Sequence, residues 1–152
     1  MIPTLLVDIN VVLDVILARA PWAEDSAELL NAVAGGRARG FVAGHTITTV
    51  HYITERASGR TTAVTAVADL LDICEVVPVL SADFRRALAL GLKDFEDAVQ
   101  VVAALQVGAD YLVSRNEKDF KGAPVLVRAP GEVLPLLRGP APATPPDPSA
   151  AR

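Results

Sequence analysis

The chain has 152 residues, 51% of them hydrophobic and 21% charged, with a formal net charge of −4. This describes one globular domain with a full core rather than a disordered chain, and not a general nucleic-acid binder, whose phosphate contacts require clustered Lys and Arg. The single cysteine, Cys74, excludes an internal disulfide and a cysteine-built zinc site, so a cytoplasmic protein is expected.

Thr4 to Val7 is a short Leu/Val run ending on Asp8, the pattern of a buried parallel strand with a carboxylate at its carboxyl end. In open α/β sheets ligands bind at that edge. Asn10 to Ala18 has helical spacing, Ala20-Pro21-Trp22 breaks it, and a second helix runs from Ala23 to Val33 before Gly35-Gly36. Gly40 to Ala43 is a second strand, Gly44-His45-Thr46 a turn, and Thr48 to Arg56 a helix closed by Ser58-Gly59. The next helix runs from Thr61 to Ile73; its stripe of Val64, Val67 and Ala68 is read as core in preference to a dimer face. Glu75 to Val79 is a third strand, and Ser81 is placed as the N-cap of a helix ending near Leu90 and Gly91.

The helix Phe95 to Val107 follows, then a strand from Asp110 to Val113 with Ser114-Arg115-Asn116 at its carboxyl end, and a single turn at Glu117 to Phe120. Pro124 to Val127 is a fifth strand, and Pro130 opens a last helix to Leu137. Residues 1–138 are thus one α/β domain: a three-layer α/β/α sandwich around a mostly parallel sheet of about five strands. Residues 139–152, rich in Pro and Ala, are expected to be a disordered tail. Asp8, Asn10 and Asp14 interrupt the first apolar run, so neither a signal peptide nor a membrane span is expected there.

Asp94-Phe95-Glu96-Asp97-Ala98-Val99-Gln100 sets three carboxylates directly before an apolar run. Two readings are open. Acids suit a first helical turn, with its free N–H groups and positive dipole end. They also suit a hard cation such as Mg²⁺, which takes oxygen ligands from one or two carboxylates plus water. Asp8, Ser114, Asn116 and Asp119 fall at the same sheet edge in the expected topology.

These stretches together resemble a known family. Leu6-Val7-Asp8-Ile9-Asn10-Val11-Val12-Leu13-Asp14 is similar to the opening of a PIN domain, Asp94 to Gln100 to its central acidic motif, and Val113-Ser114-Arg115-Asn116-Glu117-Lys118-Asp119-Phe120 to its closing motif. The match in order and rhythm extends from Ile2 to Leu137, and among PIN domains the chain most resembles the VapC-type ribonuclease toxins of bacterial toxin–antitoxin pairs. The resemblance implies hydrolysis of RNA phosphodiesters with Mg²⁺ or Mn²⁺. Asp8, Asp97 and Asp119 match the catalytic acids, Asp94 is an additional acid at the metal, and Asn10, Ser114 and Asn116 are supporting residues. Arg115 and Lys118 are assigned to RNA binding, and a cognate antitoxin and a homodimer are the expected partners. In one place the chain departs from the family: where a Glu is usual in the helix after the second strand, Thr49 stands here, a neutral hydroxyl for a carboxylate. A metal-weak PIN domain acting as an RNA- or protein-binding module is therefore the competing reading. Phosphatases of the haloacid class want a second Asp where Asn10 stands, and receivers want a paired acid there and a Lys after the last strand.

Overall fold

Five short strands lie side by side, all parallel, in the order β3-β2-β1-β4-β5 in the computed structural model, which describes residues 2–137. The strands are β1 (Thr4–Val7), β2 (Arg39–Ala43), β3 (Glu75–Val77), β4 (Tyr111–Val113) and β5 (Val127–Arg128). The expected tail lies outside the described residues. The helices are α1 (Ile9–Ile16), α2 (Ala23–Ala34), α3 (Gly44–Ser58), α4 (Arg60–Ile73), α5 (Ser81–Ala89), α6 (Phe95–Gln106) and α7 (Pro130–Val133), with 3-10 turns at Glu117–Phe120 and Leu134–Leu137.

Side chains alternate across a strand, and β1 shows what that does. Leu5 and Val7 point into one core with Val42 and Val113, where Val11, Val12, Leu29, Leu30, Val50, Leu70 and Val133 meet them from α1, α2, α3, α4 and α7. Leu6 points the other way, with Phe41, Val77, Leu112 and Val127, onto Val101, Ala103 and Ala104 of α6 and Phe120. The expected α/β/α sandwich is the observed one. Ala98, Val99 and Val102 of α6 extend that second layer onto Ala87 of α5. Close approach decides Gly40: a Cβ there would lie 2.6 Å from a methyl of Val33 and 3.1 Å from the Cys74 sulfur, so the helices beside β2 pack on bare backbone. Cys74 is buried, and burial pushes its thiol up to about 12, an inert filler rather than a nucleophile.

Several boundaries differ from the expected ones for local reasons. Gly44-His45-Thr46 is not a turn but the first turn of α3, because Ala43, with φ −68° and ψ 148°, already makes the change from strand to helix. Ser81 is not the N-cap of α5; Leu80 occupies that place, and its N–H donates to Asp83 Oδ2 at 2.8 Å. Gly59, at φ +89°, separates α3 from α4. On α4 the buried residues are Ala63 and Leu70, while Val64 is 53% exposed and Ala68 lies at the surface, which corrects their assignment to the core. No helix among the described residues is long and apolar enough to cross a membrane.

Candidate active site

Asp8 follows the last residue of the central strand, and its backbone is fixed before its side chain is considered. Its N–H donates to Val113 O at 3.0 Å, and its carbonyl accepts from Val11 at 3.1 Å as α1 begins. The side chain, 3% exposed, is held at both oxygens. Gln100 Nε2 donates to Oδ1 at 3.1 Å, and Ser114 Oγ donates to Oδ2 at 2.9 Å. The backbone N–H of Asn116 donates to Ser114 Oγ at 3.1 Å, so the serine's own proton is directed at Asp8.

Asp97 stands in the first turn of α6. Asp94 is the N-cap, its Oδ1 accepting from the Asp97 N–H at 3.1 Å, so the capped-helix reading of the acidic stretch holds alongside the acidic-cleft reading. Thr49 and Asn10 line, together with Asp8, Asp94, Asp97 and Asp119, a cleft of about 240 Å³ whose remaining wall includes Glu96 and Gln100. Asp94, Asp97 and Asp119 also border an adjoining hollow of about 640 Å³ that Lys93, Lys118 and Lys121 flank. An acidic floor thus opens directly onto a basic wall.

Burial and crowding of carboxylates shape the charge of this cleft. Burial raises Asp8 to about 6, against the lowering effect of the Ser114 hydrogen bond and a backbone N–H. Burial also raises Asp97, to about 7, and the negative charges of Asp94, Asp8, Asp119 and Glu96 add to the shift. Glu96 is raised by burial and by Asp94. It approaches His45 Nε2 at 3.8 Å, but burial lowers the pKa of His45, so this is a carboxylate beside a neutral imidazole rather than an ion pair. His51 pairs with Glu55 at 3.6 Å one turn along α3, outside the cleft lining.

Arg115 is placed differently from the expected RNA contact. Its Nε and Nη2 donate to the two oxygens of Asp14 at 2.7 and 3.3 Å, and its guanidinium lies 3.8 Å over the Trp22 ring. Asp14 is fully buried, with Arg19 3.7 Å away as a second cation. Arg115 therefore ties the end of β4 to α1 and does not line either hollow, whereas Lys118 lines the basic one. Asn10 lines the cleft, but the two Asp8 oxygens are held by Gln100 and Ser114. Two residues of the cleft were not singled out from the sequence. Glu96 read as one more acid of a helix start. Gln100 carried a usable signal, an amide three positions after Asp97 inside an otherwise apolar run.

The acidic set implies a divalent cation, and the fit rests on the donors present. Among the described residues no three His, Cys, Asp or Glu side chains converge closely enough to cage a metal ion unaided. The donors that share the cleft are all oxygens, the correct chemistry for Mg²⁺ or Mn²⁺, and Mg²⁺ keeps several waters and needs only one or two carboxylates. Burial and neighbouring carboxylates disfavour the charged forms of Asp8 and Asp97, and that penalty is what such a cation relieves. The donor set fits.

No curated protein matches the chain. Solved structures share its fold: the DNA-bound VapBC of Salmonella typhimurium (TM-score 0.66, 16% identity, covering 86% of this chain and 99% of that one), VapBC2 from Rickettsia felis bound to a promoter DNA fragment (TM-score 0.66, 13% identity, 83% and 98%), and a toxin–antitoxin complex from Klebsiella pneumoniae (TM-score 0.62, 21% identity, 82% and 96%). At these identities the likeness is one of fold. The sequence carries the closer assignment, because the family model described as PIN domain matches residues 4–118, the whole stretch from β1 through the loop that holds Ser114 against Asp8. The chain belongs to the PIN-domain family.

Proposed function

We propose that this chain is a divalent-cation-dependent endoribonuclease and the toxin of a type II toxin–antitoxin pair. One observation carries the reading: Asp8 and Asp97, at the carboxyl edge of the parallel sheet, face one cleft in which burial and neighbouring carboxylates raise both pKa values. Perturbed acids gathered in a cleft are a mark of function. The solved structures that share the fold include toxin–antitoxin complexes, and one is described as the sarcin-ricin-loop-cleaving toxin VapC20 of Mycobacterium tuberculosis. That supports RNA as substrate and an antitoxin as partner.

Asp8, Asp97 and Asp119 would hold the cation, with Asp94 as an additional acid and Thr49 lining the same cleft. When bound, the cation makes a water more acidic and offsets charge on the phosphate under attack. The chain's own contribution is orientation. Gln100 and Ser114 fix both oxygens of Asp8, so that carboxylate need not reorganise when charge arrives. Lys93, Lys118 and Lys121 offer ammonium groups to the RNA backbone beside the acidic floor. The test is cleavage of a mixed RNA substrate across a titration of Mg²⁺ and of Mn²⁺, with a chelator and Asp97→Asn as controls. Cation-dependent cleavage that the substitution removes supports the reading; cleavage unchanged by chelator or substitution would sink it.

Thr49 in place of a carboxylate gives a second reading some footing, a PIN domain that binds RNA or protein without cutting. RNA binding that persists with no cation uptake and no cleavage decides for it.

A further inference from the structure

Gln100 has no exposed surface and stands on the inner face of α6, yet it lines the cleft. A carboxylate only accepts hydrogen bonds, so the amide must turn Nε2 to Asp8, as it does at 3.1 Å. That choice leaves Oε1 buried with no partner within the protein. Buried acceptors are ordinarily satisfied, and leaving one without a partner destabilises the fold. A merely structural strut for Asp8 could have been a side chain with nothing left over.

We propose that Gln100 is a cation-binding residue: its Oε1 supplies a neutral oxygen to the divalent cation held by Asp8 and Asp97. This rests on the reading of the cleft as a cation site. The proposal explains two features together. It gives the orphan oxygen a partner, and it makes up in part for the oxygen that Thr49 does not supply as a carboxylate. An uncharged ligand also adds no further repulsion to a cleft already crowded with Asp94, Glu96, Asp97 and Asp119.

The measurement is calorimetric titration of the full chain with Mn²⁺ alone, without RNA, for the parent, Asp97→Asn, Gln100→Met and Gln100→Glu, each checked for a cooperative melt without metal. Met keeps the length of Gln but has neither the donor nor the oxygen. Glu loses the donor to Asp8 but offers a stronger oxygen ligand. If Oε1 meets the cation, Gln100→Met weakens Mn²⁺ binding by about 10-fold or more, on the scale seen for losing partners around a metal, while Gln100→Glu binds Mn²⁺ at least as tightly as the parent although its metal-free fold is less stable. If Gln100 is only a strut, both variants weaken binding alike, and the proposal is overturned with the cation site intact. Parental affinity in both variants overturns it as well. A parent that takes up no Mn²⁺ overturns both the cleft reading and this proposal, and Asp97→Asn separates the cases, because it loses binding only when the cleft is the site. A Gln100→Met chain that does not fold leaves Gln100→Glu against the parent as the deciding comparison.

Discussion

Ser114 Oγ lies 2.9 Å from Asp8 Oδ2 although the two residues are 106 positions apart in the chain. The hydroxyl is itself aimed by the Asn116 N–H, and its strand is pinned by Arg115 to the buried Asp14. The loop that closes the domain therefore sets the orientation of the acid that opens it.

Removing that hydroxyl should act on the cleft more than on the fold. Ser114→Ala leaves one oxygen of Asp8 buried without its donor. Mn²⁺ affinity and RNA cleavage are expected to fall about 10- to 100-fold, with a stability loss of about 1–2 kcal/mol. Parallel calorimetry and thermal melts check it; a variant with parental affinity would show that Ser114 does not orient Asp8.

Arg115 and Lys118, both first assigned to RNA, should separate. Arg115→Ala leaves the fully buried Asp14 with only Arg19 at 3.7 Å, so a loss of about 3 kcal/mol is expected, the low end for breaking a buried pair. Lys118→Ala should melt as the parent does yet bind RNA more weakly, with a shallower salt dependence. Equal melting temperatures for the two variants would refute the division.

The raised carboxylates give the metal-free chain a definite pH dependence. For Asp8 and Asp97 the folded pKa, about 6 and about 7, lies above the ordinary carboxyl value of 3.8, so folding favours their protonated forms. Their contribution is fully present below about pH 4 and is lost as pH rises through 6 and 7. Melts in chelator should therefore show these two groups costing stability between pH 4 and 8. Asp97→Asn should flatten that fall, remove cleavage, and keep or raise stability at pH 8. A variant whose pH profile matches the parent's would place the repulsion elsewhere.

Thr49 lines the cleft that Asp8 and Asp97 share, so a carboxylate there is in reach of the same cation. Thr49→Glu should tighten Mn²⁺ binding and shift the metal dependence of cleavage to lower concentration, while lowering metal-free stability through added like charge. If calorimetry on the folded variant finds no gain in affinity, the alignment of Thr49 with the family's Glu is wrong.

The fold was legible because its signals are periodic and local: Leu5–Val7 is a continuous apolar run, α6 carries its cap in Asp94, and the breaks at Gly35-Gly36, Gly59, Gly91 and Gly108 each separate two elements. The set of acids was legible because motif order survives when the three-dimensional arrangement is unknown. What was hidden depended on distant partners. Nothing near Arg115 in sequence announces that Asp14 and Trp22 will hold it, and nothing near Gln100 announces Asp8. Val64 and Ala68 show the same limit from the apolar side, since a stripe on a helix states its periodicity but not which neighbour is there to cover it.

An all-parallel sheet with β1 at its centre also has a consequence for when this protein comes into being. β1 pairs with β2 on one side and with β4 on the other, Thr4 opposite Arg39 and Leu5 opposite Tyr111. On the ribosome the first pairing is available early, but the second must wait until the segment around Val113 has left the exit tunnel. Until then the Asp8 carboxylate lacks the Ser114 donor, and its backbone lacks the tie to Val113. A growing chain thus lacks both ties on Asp8 until the segment around Ser114 has emerged, so the cleft is assembled late, by the pairing of β1 with β4 rather than by β1 with β2.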